Sequence, residues 1–185
     1  MHGGSVSAQS LGVGQGATFT VLLPEATAEQ KLIAQALNEK APKAGVESAA
    51  PDLKGLRILL VDDEDSAREA HREILRSFGA TTLDVASSKE ALEAISTFWP
   101  DVLISDIAMP TEDGYHLIHQ VRKLDDPFRR DIPAIALTAY AGTEARNCAL
   151  KEGFDDYLAK PFEGLELARN ITDLWSRRSV RKKAL

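Results

Sequence analysis

Asp62 and Asp63 follow one short apolar run, Asp106 ends another, Thr138 ends a third and Lys160 follows a fourth. Any one of them could be an ordinary solvated loop residue. Three carboxylates drawn close together repel, however, and that repulsion is relieved when a divalent cation and a lysine share the site. An oxygen cluster of this kind suits magnesium, which takes one or two carboxylates, keeps several waters and coordinates phosphate oxygens. Aspartate can also accept a phosphoryl group covalently, a transfer that needs mainly positioning and neutralisation of oxygen charge. In such chemistry Lys160 could pair with the acceptor or a phosphoryl oxygen, and the Thr138 hydroxyl could donate a hydrogen bond to another.

For these residues to meet, the elements carrying them must place them at one edge. From Arg57 onward, short apolar runs at 58–61, 82–85, 102–105, 134–138 and 156–159 alternate with amphipathic stretches of helical period. The central runs are apolar at nearly every position, as parallel strands covered on both faces are. Helices are expected over 66–78, ending at Gly79, then behind Ser87 or Ser88 as cap, and over 114–124, 143–152 and 163–178. Five such βα units imply a doubly wound parallel α/β sheet. Right-handed crossovers cover both faces, and ligands bind beyond the carboxyl ends of the strands. Asp62, Asp63, Asp106, Thr138 and Lys160 all lie at that edge.

The residues then match a family. Val61-Asp62-Asp63-Glu64, Ser105-Asp106-Ile107-Ala108-Met109-Pro110 with Asp113-Gly114, Leu137-Thr138-Ala139, and Tyr157-Leu158-Ala159-Lys160-Pro161-Phe162 resemble, in order and spacing, the four signatures of response-regulator receiver domains. The resemblance covers about two-thirds of the chain. It implies a flavodoxin-like (βα)5 fold with strand order 2-1-3-4-5. It also implies Asp106 as phosphoacceptor, a Mg2+ ion held by Asp63, Asp106 and the Ala108 carbonyl with Asp62 helping through water, and a cis bond between Lys160 and Pro161. Thr138 and Tyr157 match a pair that moves inward on phosphorylation and remodels the face of the fourth helix, fifth strand and fifth helix; by itself, Tyr157 also reads as a surface-packed strand residue. Ala108 and Tyr140 depart from residues that orient an attacking water, so a phosphoryl group is expected not to be lost unusually fast.

Residues 1–24 read as two strands, 4–8 and 17–23, around a loop with Gly12, Gly14 and Gly16, too little to bury a core. They resemble the closing hairpin of a sensor histidine kinase's ATP-binding domain, which implies a hybrid kinase as parent. The remainder of that domain and its phosphorylatable-histidine helices are missing, so Met1 is read as an internal residue or artificial start and ATP binding is not expected. Residues 25–54, with one weak helix at 27–38, read as linker, 55–178 as the receiver and 179–185 as a basic tail.

Composition narrows the alternatives. A net charge of −6 argues against a general nucleic-acid binder, and no apolar run reaches the roughly 20 residues of a membrane helix. A single cysteine, Cys148, rules out an internal disulfide and a cysteine-based zinc site, and no signal-peptide pattern opens the chain, so the cytoplasm is the expected compartment even if the parent kinase is membrane-anchored. His71, His116 and His119 read as plain helix residues, and Cys148 as a helix surface or packing residue. The expected donor is a histidine kinase core or a histidine phosphotransfer domain, with output through protein contact and a helix-four to helix-five face that could pair two copies. Rival readings are a truncated ATP-dependent kinase, a docking pseudo-receiver, and flavin binding, which the carboxylates oppose.

Overall fold

The computed structural model describes residues 5–10, 12, 14–22, 51–110 and 112–182, the last five by backbone alone. They fall in two units, one within 1–47 and the other within 48–185. The weak helix expected at 27–38 and most of the segment read as linker lie outside the described residues.

In the first unit β1 (Ser5–Ser10) pairs antiparallel with β2 (Ala17–Leu22), matching Val6 with Val21 and Ala8 with Phe19 on one face. The first strand runs later than expected because Gln9 and Ser10 also pair, with Thr18 and Ala17. The Ser10 hydroxyl closes the loop, donating to the Gly16 carbonyl at 2.7 Å and accepting from the Gly12 N–H at 3.2 Å. Val6 and Phe19 remain 73% and 72% exposed, so pairing gives this hairpin no buried apolar face of its own.

The second unit runs β3 (Arg57–Val61), α1 (Asp65–Ser77), β4 (Thr81–Val85), α2 (Ser88–Phe98), β5 (Val102–Asp106), α3 (Gly114–Val121), α4 (Pro127–Arg130), β6 (Ala134–Thr138), α5 (Thr143–Glu152), β7 (Asp156–Ala159) and α6 (Gly164–Lys182). Its five strands are parallel in the order β4-β3-β5-β6-β7, the doubly wound 2-1-3-4-5 pattern that the family resemblance implies. Alternate residues feed two cores. Leu59, Val61 and Leu103 pack with Ile95 of α2, Leu117 of α3 and Ala149 of α5, whereas Ile58, Leu60, Ile104 and Ile135 pack with Leu75 of α1 and Leu167 and Ile171 of α6. Burial on both faces explains why β3, β5 and β6 are nearly continuous apolar runs.

Several boundaries differ from expectation. Helix α1 begins one residue earlier, at Asp65, without a side-chain cap from Glu64. Helix α3 ends at Val121, not 124, and the chain continues in tight turns as Lys123 N–H bonds the Gln120 carbonyl and Leu124 N–H the Val121 carbonyl. Helix α4 was not anticipated, although Asp126 caps it by accepting from the Phe128 N–H and Pro127 starts it. Leu53, near the end of the segment read as linker, is fully buried in the second core, and its N–H donates to the Phe78 carbonyl at 2.9 Å. The helix α6 backbone continues through Lys182, into the segment read as a basic tail.

At the amino ends of β6 and β7 one guanidinium ties several turns together. Arg122 donates to the carbonyls of Gly153 at 2.9 Å, Arg130 at 2.7 Å and Ile132 at 2.8 Å, and to Asp155 Oδ2 at 2.8 Å. Among the described residues no helix is long and apolar enough to cross a membrane.

Candidate functional site

The carboxyl ends of β3, β5, β6 and β7 bring together the residues singled out by the sequence. Asp62 is fully buried, Asp106 is 8% exposed and Asp63 is exposed, with one carboxylate oxygen from each within 4.8 Å of the others. This is the one candidate metal-holding cluster among the described residues. Lys160 Nζ bridges two of them, donating to Asp106 Oδ2 at 2.8 Å and to Asp62 Oδ2 at 3.0 Å. Burial by itself would lower the lysine's pKa, but the hydrogen bonds and charges of Asp106 and Asp62 outweigh it and hold the ammonium above its ordinary value.

The other oxygen of each carboxylate takes a backbone donor. Asp106 Oδ1 accepts from the Ala108 N–H at 3.1 Å, and Asp62 Oδ1 accepts from the Glu64 N–H at 3.1 Å. The Asp62 carbonyl accepts from Arg68 Nη1 at 2.8 Å, anchoring α1 at the end of β3. The bond between Lys160 and Pro161 is cis, as the resemblance implies.

Local sequence explains how α3 approaches so closely. A Cβ on Gly114 would lie 2.4 Å from the Asp106 carbonyl oxygen and 2.9 Å from Ile107 Cα, so only glycine permits this start. Asp113 caps the helix by accepting from the His116 N–H at 2.7 Å. Buried Ser88 donates to the Glu112 carbonyl at 3.1 Å, tying α2 to the same loop.

Thr138 and Tyr157 meet through one stretch of backbone. Thr138 Oγ1 accepts from the Tyr140 N–H at 3.1 Å, while the Tyr157 hydroxyl donates to the Tyr140 carbonyl at 3.1 Å and accepts from the Gly142 N–H at 3.2 Å. Tyr157 also packs against the first core, so its strand-packing reading holds alongside this bridge. The Tyr140 ring is exposed.

Two histidines stay where a plain reading puts them: His119 pairs with Glu152 at 2.7 Å, and His116 lies 3.8 Å from Glu112. Cys148 is exposed. His71 differs from its plain reading: Nδ1 lies 3.7 Å from Asp62 Oδ2, and the ring stacks on Phe162 at 5.0 Å between centroids. Its position four residues before buried Leu75, on the inward stripe of α1, is the signal that could have found it.

Three carboxylate donors, two buried and one exposed to solvent, fit a hard divalent cation better than a softer metal.

Comparison with known proteins gives the same answer. The family model of the response regulator receiver domain matches residues 58–172. An uncharacterized 14.6 kDa protein of Leptolyngbya boryana is 46% identical over 119 residues, 64% of this chain and 89% of that protein. Response regulator MprA of Mycobacterium ulcerans is 40% identical over 123 residues, 66% of this chain but 51% of its own length, so the chain spans about half of that relative. The receiver domain of sensor histidine kinase PA1611 from Pseudomonas aeruginosa, solved with a magnesium ion in its active-site cleft, superposes with a TM-score of 0.60 at 34% identity, covering 66% of this chain and 98% of that one.

Proposed function

This chain belongs to the response regulator receiver family and serves phosphorylation-dependent signalling, and from that premise we propose that Asp106 is its phosphoacceptor. The observation carrying the proposal is the Lys160 ammonium shared by the Asp62 and Asp106 carboxylates inside the three-carboxylate cluster. Asp62, Asp63, Asp106 and the Ala108 carbonyl would hold Mg2+, which when bound supplies positive charge against phosphoryl oxygens.

The chain's own groups position the transfer. The Ala108 N–H and Lys160 fix the Asp106 carboxylate. A carboxylate oxygen forms the new bond to phosphorus as the bond from phosphorus to the donor's histidine nitrogen breaks, and that nitrogen keeps the electron pair. Lys160 then pairs with a phosphoryl oxygen. The Thr138 hydroxyl accepts from the Tyr140 N–H and retains its own proton to donate to the phosphoryl group. Moving Thr138 pulls on the Tyr140 backbone that also holds the Tyr157 hydroxyl, and this couples the site to the α5, β7 and α6 face, where a partner or a second copy docks. Ala108 and Tyr140 offer no carboxylate or amide to orient water, so the phosphoryl group outlasts a scale of seconds.

The donor is the core of a hybrid histidine kinase or a histidine phosphotransfer domain in a cytoplasmic phosphorelay. The hairpin of β1 and β2, whose apolar pairs are exposed, is read as the remnant of that kinase's ATP-binding domain, and the chain alone does not act as an ATP-dependent kinase. Intact mass after incubation with acetyl phosphate, with and without Mg2+, tests the proposal: a Mg2+-dependent gain of one phosphoryl mass, absent in Asp106→Asn, supports it, and no gain under either condition contradicts it.

A further inference from the structure

His71 Nδ1 is buried and has no hydrogen-bond partner. Buried polar atoms without partners are uncommon and call for an explanation. Asp62 Oδ2, at 3.7 Å, lies just beyond bonding distance and is already taken by Lys160 Nζ at 3.0 Å. The ring cannot wander, because it stacks on Phe162 at 5.0 Å with an interplanar angle of 24°, and Phe162 lies two residues beyond Lys160. One imidazole thus touches the loop that carries the lysine and stands beside the carboxylate the lysine occupies.

We propose that His71 is a positioning residue that takes over Asp62 when Lys160 leaves it for the phosphoryl group. In the unphosphorylated protein Lys160 serves both Asp62 Oδ2 and Asp106 Oδ2. When Asp106 carries a phosphoryl group, the ammonium turns to the new oxygens. Asp62, fully buried, then loses its charge-assisted donor at Oδ2, and that loss opposes the change. A shift of less than an ångström brings the Nδ1–H within bonding distance of Asp62 Oδ2, provided the ring carries its proton on that nitrogen.

This inference rests on Asp106 being the acceptor, so the test reads both. The full chain, 15N-labelled at histidine, is treated with acetyl phosphate and Mg2+ and followed by intact mass and ring 15N–1H spectra. The expected result is a phosphoryl mass together with a newly protected His71 Nδ1–H. In parallel, His71→Phe, which keeps the stack but not the donor, gains phosphoryl mass roughly tenfold more slowly, the worth of one hydrogen bond to a buried carboxylate. His71→Asn, whose amide N–H stands close to the Nδ1 position, restores most of the rate. Mg2+ affinity without phosphodonor stays unchanged in both variants. A phosphoryl gain with no change at Nδ1, or equal slowing in the Phe and Asn variants, overturns the hand-over alone. Absence of any phosphoryl gain overturns it together with the reading of Asp106.

Discussion

The two ends of the parallel sheet are built from similar residues and finish differently. At the amino end, Arg122 meets Asp155 and three carbonyls, and Asp155 Oδ2 also accepts from the Ala134 N–H at 2.9 Å. Asp101 in turn accepts from the Arg57 N–H at 2.9 Å. Burial lowers the Arg122 pKa, with Asp155 opposing it, and the guanidinium stays charged and paired. At the carboxyl end, one lysine serves two of three clustered carboxylates. The amino end is electrostatically closed, whereas the carboxyl end carries surplus negative charge. The difference teaches that buried charge marks a ligand site where its charges do not balance, and a structural clamp where they do.

The comparison can be broken from either end. Asp106→Asn is expected to abolish phosphoryl gain altogether while leaving the fold intact, as read by intact mass and circular dichroism. Arg122→Met leaves three carbonyls without the guanidinium and Asp155 without its countercharge, and should cost about 3 kcal/mol in urea unfolding while the phosphorylation rate of the remaining folded protein holds. Gly114→Ala forces α3 away from the Asp106 carbonyl and should cost about 2 kcal/mol, an overpacking effect. Because the shift reaches the backbone of Asp106, this variant should also weaken Mg2+ binding, unlike Arg122→Met. Equal loss of Mg2+ affinity in both would erase the distinction between the ends.

Much of this was readable before the structure, for identifiable reasons. Strands β3, β5 and β6 announce themselves because burial on both faces removes most polar residues from them, and Asp62, Asp106, Thr138 and Lys160 stand out as polar groups at or just beyond strand ends. Helix α4 was missed because four residues carry no period, even though Asp126-Pro127 is a start signal. The early end of α3 was missed because Arg122 suits a helix and its long-range carbonyl partners, not local propensity, mark the turn. His71 was passed over for the same kind of reason: its neighbours Asp62 and Phe162 come from other elements, and only the docking of α1 brings all three together.

Thermal unfolding against Mg2+ concentration, for the chain and for Asp63→Asn, tests the surplus charge at the carboxyl end most directly. Asp63 is the exposed member of the cluster, so its neutralisation relieves repulsion without emptying a buried site. The account predicts that Mg2+ raises the melting temperature of the chain in a saturable way, and that Asp63→Asn starts higher without Mg2+ and gains little from it. Melting temperatures that ignore Mg2+, or rise equally in both proteins, would contradict it.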